Sequence, residues 1–300
     1  MMINTGILLM MIVALMQSII GAIVKLVSPN ITISLLLLVY YSIPLLFFTY
    51  FIYKDGTTLY KSKFIWLHFV RGLCTTMSVL CFFFASVHLG LATSAVLFNT
   101  VPIFIPIFAV FILKERISKY IIAGTIISLF GIIIIINPSF GSFFNSFAVI
   151  GLSSGIFMAI SQVLLKLLTN KEESSNKILF YLYFMCSLIS IVFITLETFI
   201  TKKNPIVIYN YTHTLNLLLT LLCLGLISLT AQYILTKAFY YMEAIKLAPF
   251  LYLSIPISSL IGWVFWLQKI TINFIVGTFF VIIGIFIIIY IQTKQKQLSR

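Results

Sequence analysis

Three hundred residues that are 62% hydrophobic and 8% charged exclude an ordinary water-soluble domain, in which about a quarter of residues are charged. A formal net charge of +13 would suit a nucleic-acid binder, but the basic residues are scattered between apolar runs rather than gathered on one face. The composition therefore predicts an all-α integral membrane protein with the lipid bilayer as its main partner and no nucleic acid.

About 20 apolar residues cross a bilayer as a helix. That rule places ten spans, near residues 6–27, 32–53, 66–88, 91–112, 120–137, 147–168, 178–199, 216–239, 245–266 and 273–292. The first lies in MMINTGILLMMIVALMQSIIGAIV, too long for a signal-peptide core and without a small-x-small cleavage site, so it is expected to be retained. It carries Gln17, an amide that must face the protein interior, because an unpaired amide in hydrocarbon costs kilocalories. Gln162 in the sixth span and Gln232 in the eighth follow the same rule, whether they bind a ligand or each other.

The second span has Tyr40 and Tyr41 beside its midpoint. Neighbours on a helix diverge by about 100°, so one of the two is expected to face the interior, where its ring suits a purine or an ammonium group. In the third span, Arg71 lies near one end, as Lys25 does in the first, and both are expected to snorkel to the headgroups. Lys25 is also near enough to Glu197 in sequence topology to pair with it.

The fourth span contains NTVP, with Asn99, Thr100 and Pro102; the ninth contains YLSIP, with Tyr252, Ser254 and Pro256. A proline deprives the carbonyl four residues back of its donor, which here means Phe98 and Tyr252. Such carbonyls need neighbours or a water-filled cavity, so two mid-span kinks mark a candidate binding region with these polar residues around it. The same residues would also serve as helix-to-helix contacts in a plain scaffold.

Between the fourth and fifth spans, LKERIS places three charges in six residues. With the N-terminus in the cytoplasm this turn is cytoplasmic, and of nineteen Lys and Arg only Lys25, Lys202, Lys203 and Lys269 fall on the other side. That positive-inside bias predicts cytoplasmic termini. Glu115 in the turn is expected to order the chain ahead of the fifth span.

The two halves of the chain resemble each other. PIFIPIFAVFILKERISKYIIAGTIISLFGIIIII aligns with PISSLIGWVFWLQKITINFIVGTFFVIIGIFIII, pairing Pro102 with Pro256, Ser118 with Thr271, Gly124 with Gly277 and Gly131 with Gly284. Gly6, Ala14 and Gln17 fall opposite Gly151, Ala159 and Gln162. Five spans per half is odd, so the second copy, residues 141–300, would enter the membrane inverted relative to residues 1–140.

This layout resembles the drug/metabolite transporter superfamily, specifically proteins with tandem EamA domains. The resemblance rests on the R…A…A…NTVP…LKERIS…G…G order of spans three to five, and on KAFYYMEAIKLAPFLYL followed by IGWVFWLQ. It implies a ten-helix pseudo-symmetric bundle around a central substrate cavity. Lys237–Leu253, with LHFVRG at Leu67–Gly72, is further similar to S-adenosylmethionine uptake members of intracellular bacteria. An arginine common in span two of relatives is replaced here by the tyrosine pair, so its role is not carried over.

Remaining groups bear on mechanism. The six carboxylates are Asp55, Glu115, Glu172, Glu173, Glu197 and Glu243, all in loops or near helix ends. Proton-coupled carriers keep a titratable relay inside the membrane, so exchange or facilitated movement of a neutral, zwitterionic or weakly cationic metabolite is expected. His68, His88 and His213 lack metal-ligand spacing, and Cys74, Cys81, Cys186 and Cys223 sit in apolar runs as small packing residues. No metal or cofactor is expected, and scattered single groups do not make an enzyme's catalytic set. The leading expectation is S-adenosylmethionine uptake or exchange across a bacterial inner membrane, with export of amino acids or related metabolites as the alternative.

Overall fold

The computed structural model describes residues 2–27, 31, 33–55, 61–89, 91–136, 146–201, 214–267 and 272–298. Its long helices are α1 (Met2–Val27), α2 (Ile33–Asp55), α3 (Ile65–Leu89), α6 (Lys119–Ile136), α7 (Ser146–Asn170), α8 (Ser175–Thr201), α9 (Thr214–Tyr241) and α12 (Ile272–Leu298). Among the described residues, seven helical stretches are long and apolar enough to cross a membrane, and three shorter apolar helices, Ser34–Tyr50, Val101–Leu113 and Lys119–Ile135, accompany them. Large side chains such as Phe111, Phe199 and Phe265 point outward from the bundle, as lipid-facing positions do.

Of the two spans expected to kink, the fourth is interrupted, while the ninth stays helical from Ala244 to Trp266 and changes to a 3-10 form partway. The fourth is α4 (Leu91–Phe98) and α5 (Val101–Leu113), separated by Asn99 and Thr100. Asn99 Nδ2 donates to Ala95 O at 2.7 Å and Thr100 Oγ1 to Leu97 O at 2.6 Å, so these side chains satisfy the carbonyls that end α4. The ninth is α10 (Ala244–Leu247), a 3-10 helix (Ala248–Leu253) and α11 (Ser254–Trp266).

Pro102 and Pro256 therefore sit in the first turns of α5 and α11 rather than at mid-helix. At Pro102, behind the Asn99–Thr100 turn, an N–H would have no acceptor within α5, so proline removes nothing there. The Tyr252 carbonyl, expected to lack a donor, receives the Ser254 N–H, which it shares with Leu251 O. Both pieces end alike: Lys114 (φ 57°) and Leu267 (φ 51°) adopt the left-handed conformation and cap α5 and α11 through Ala109 O and Gly262 O. At that spacing Pro102 corresponds to Ile255, one residue short of the proline-to-proline match read from sequence.

Packing is reciprocal between the halves. α1 packs on α9 while α3 packs on α7; α4 and α5 pack on α7 while the 3-10 helix and α11 pack on α1. α2 pairs with α8, and α6 with α12. Toward the end of the bundle that carries the α5–α6 turn, here the first end, a dense core of Met10, Leu168, Ile178, Phe239 and Phe250 is essentially inaccessible.

Polar contacts tie that first end together across the halves. Glu115 does not order α6 locally. Its two carboxylate oxygens accept the N–H groups of Ala244 and Ile245, at 3.1 Å each, and so hold the start of α10 to the α5–α6 turn. Burial pushes the Glu115 carboxyl above its usual range, and the two N–H donors offset only part of that. Nearby, Lys166 Nζ donates to Phe239 O (2.6 Å), and Ser62 Oγ to Glu173 Oε1 (2.8 Å).

Candidate functional site

The two helix breaks face each other across a cavity of about 260 Å³. α1 contributes Val13, Ala14, Gln17, Ile20 and Val24, and α2 contributes Leu36, Leu37, Tyr40 and Tyr41. Thr75 and Val79 come from α3, Phe98, Asn99, Val101 and Pro102 from the first break, and Leu251 and Ser254 from the second. Met158 and Gln162 of α7, Leu182 and Tyr183 of α8, and Gln232 and Leu235 of α9 complete the wall. Val24 and Leu36 lie near the second end, whereas the dense core closes the first end.

Seven sequence-nominated polar residues thus meet in one chamber: Gln17, Tyr40, Tyr41, Asn99, Gln162, Gln232 and Ser254, with Pro102 beside them. Thr100, Tyr252 and Pro256 are outside the lining. The Thr100 hydroxyl lies over Gly155 of α7, where a Cβ would come within 2.5 Å of it. Tyr252 is fully buried, and its hydroxyl has no protein partner. Both Tyr40 and Tyr41 line the chamber, although one was expected. Their rings sit edge to face, 5.1 Å apart, and the chamber wraps far enough around α2 to meet both.

Most of the polar lining is already engaged. Ser254 Oγ donates to Leu251 O at 2.7 Å, while its carbonyl accepts from Ser18 Oγ at 2.8 Å, which ties α1 to the second break. Thr75 Oγ1 shares a 2.7 Å hydrogen bond with Ser161 Oγ, and Tyr183 OH donates to Ser228 O at 3.2 Å. The amides differ. Gln162 is 8% exposed, its Oε1 has no protein partner, and its Nε2 reaches only Met158 Sδ at 3.9 Å. Gln232 Oε1 is also buried without a protein partner. Among the described residues no charged side chain lines the chamber. It offers amide side chains and four aromatic rings, which suits a planar or cationic group with hydrogen-bonding edges.

Sequence reasoning missed Thr75 and Tyr183, and named Phe98 only for its carbonyl. Thr75 had a signal, since a hydroxyl in an apolar run must find a partner; Tyr183 had none beyond being aromatic. Arg71 is not snorkelling: it is 3% exposed inside the bundle. Lys25 lies over the Trp266 ring, with Nζ 4.6 Å from its centroid; the Glu197 side chain, nominated as its partner, is outside the described residues. Among the described residues no three His, Cys, Asp or Glu side chains gather as a metal-ligand set.

Known proteins align with this arrangement. A solved crystal structure of a protein 15% identical in sequence superposes with a TM-score of 0.77 over 95% of this chain and 97% of its own, a likeness of fold. The pseudopaline exporter CntI of Pseudomonas aeruginosa is 28% identical over 197 residues, 66% of this chain and 65% of the exporter, just under two thirds of its length. A riboflavin transporter of Brucella anthropi is 23% identical over 231 residues, 76% of this chain and 78% of its own. The EamA-like transporter family model matches twice, at residues 4–137 and 145–290. This multi-pass membrane protein belongs to the EamA-like transporter family.

Proposed function

We propose that the protein is a secondary carrier of a bacterial inner membrane, with cytoplasmic termini, that moves a small organic metabolite by alternating access. The observation that carries this reading is the uncharged chamber of amides and aromatic rings where the two broken spans meet. Gln17, Tyr40, Tyr41, Asn99, Gln162, Gln232 and Ser254 would contact substrate. Thr100 and Tyr252 would support the breaks from behind, and the turns that begin at Pro102 and Pro256 would act as hinges.

The moving parts would be two inverted halves, residues 1–140 and 141–300. The reciprocal helix pairing supports this. So does the α6–α12 crossing, where Gly124 lies against Gly284 and Gly131 against Gly277. If Gly124 corresponds to Gly277 and Gly131 to Gly284, a two-fold axis exchanges those two contacts. Ser128 and Val281, joined by a 3.3 Å hydrogen bond, would then lie on the axis. With the first end cytoplasmic, the Glu115 clasp on α10 belongs to a closed inner gate.

S-adenosylmethionine, taken up in exchange for its demethylated product, is the leading cargo. Its nucleobase matches aromatic walls with amide edges, and its sulfonium matches tyrosine faces in a chamber with no competing cation. Export of amino acids or related small metabolites is the second reading. It is favoured by a volume of about 260 Å³, just below the ~300–1,000 Å³ usual for ligand pockets, and by the exporter among the relatives. The deciding experiment is counterflow. Proteoliposomes preloaded with unlabelled S-adenosylmethionine should accumulate the labelled compound well above empty ones. Folded protein that gives no uptake above protein-free liposomes would move the assignment to amino-acid efflux.

A further inference from the structure

Arg71 lies one helical turn before Thr75, which is part of the cavity wall. It is 3% exposed, its Nη1 donates to Ile178 O at a long 3.4 Å, and its Nε has no partner. No carboxylate of the described residues lies within ion-pair distance of it. His68, one turn earlier on the same helix, is 1% exposed; it stacks on Tyr181 at 4.6 Å, and both its ring nitrogens are unpartnered.

A guanidinium does not shed its proton in a protein, so this is a fixed positive charge inside a membrane bundle with one weak carbonyl contact. A buried charge without a counter-charge is among the most costly features a membrane protein can carry. Donors cluster here, and the acceptor that reaches Arg71 is the Ile178 carbonyl. What is missing among the described residues is an anion, and Arg71 sits on α3 between the cavity wall at Thr75 and the first end. Tyr183, a wall residue of the cavity, comes from α8, which packs on α3.

We propose that Arg71, with His68 as second donor, is the anion subsite of the transport path: it receives the single carboxylate of a zwitterionic or cationic metabolite as the substrate leaves the cavity toward the cytoplasm. A carboxylate fits better than a phosphate group. One planar guanidinium fork presents two parallel N–H donors to two oxygens, and one cation balances one negative charge. The uncharged amides and rings of the cavity hold the remainder of the molecule, so the substrate class is a metabolite with one carboxylate and a cationic or donor-bearing body. The inference rests on the transport reading above.

The test compares matched probes in proteoliposomes: S-adenosylmethionine against its decarboxylated form, and methionine against methioninamide. In the wild type the carboxylate-bearing member of the transported pair should be favoured about tenfold or more. Arg71→Gln should erase that preference, and Arg71→Lys should keep part of it. A folded Arg71→Gln protein that retains the wild-type preference overturns the proposal, as does a wild type that moves both members equally. If the wild type transports neither pair, the cargo readings above fail, and ligand-free stability decides on Arg71. A cation awaiting an anion predicts a higher melting temperature for Arg71→Met than for wild type, whereas a lower one marks Arg71 as structural and overturns the proposal.

Discussion

Gln162→Leu is expected to leave the melting temperature unchanged or raise it, while transport of the wild-type substrate falls about tenfold or more. The opposite signs follow from the state of the amide. Gln162 is 92% buried by its 8% exposure, yet Oε1 has no protein partner and Nε2 reaches only a thioether. A buried polar group without a partner costs about 1–3 kcal/mol, and a leucine of similar size removes that cost and fills the site. An amide kept for the fold would show the reverse, because losing a satisfied buried hydrogen bond lowers stability. Gln232→Leu should behave in the same way. A variant that melts earlier but transports normally would make these amides part of the scaffold.

The largest stability effect is expected at the α6–α12 crossing, where Gly277→Ala should cost about 1–3 kcal/mol and Gly277→Leu should prevent assembly. A Cβ at Gly277 would lie 2.4 Å from Gly131 O and 2.5 Å from Ile135 Cγ1; one at Gly284 would lie 2.4 Å from Gly124 O. The obstacles include, besides the Ile135 and Ser128 side chains, a backbone oxygen at each glycine, which cannot turn aside as a side chain can. Gly21 of α1 provides the control, since a Cβ there meets nothing within 4 Å. Gly21→Ala should be neutral or stabilising by up to about 1 kcal/mol, because alanine is the better helix former. Thermal unfolding in detergent separates the two, and equal melting temperatures for Gly277→Ala and Gly21→Ala would refute the close crossing.

The bundle was legible because apolar length and charge placement are properties of single segments. The polar residues of the cavity were legible for a related reason: an amide or hydroxyl in an apolar run has to point inward, and inward in this fold means toward the chamber. That logic located Gln17, Asn99, Gln162, Gln232 and Ser254. It did not extend to details that depend on which helices meet. Glu115 looked local, yet its partners are the N–H groups of Ala244 and Ile245, which no nearby residue foreshadows. Proline spacing suggested kinks inside continuous helices; instead α4 stops at the Asn99–Thr100 turn and Pro102 falls in the first turn of α5, while Pro256 follows a 3-10 stretch. Arg71 near a helix end resembled a snorkelling side chain, and only the packing of α3 against α8 makes it a buried charge.

The central claim is that the chamber at the two helix breaks is reached from each side of the membrane in turn. We would test it by replacing the four cysteines, introducing Asn99→Cys and Ser254→Cys separately, and treating vesicles of known orientation with a membrane-impermeant maleimide. Alternating access predicts that each site is labelled from either face, and that a transported ligand slows labelling from both. Labelling confined to one face under every condition, or absent from both, would contradict it.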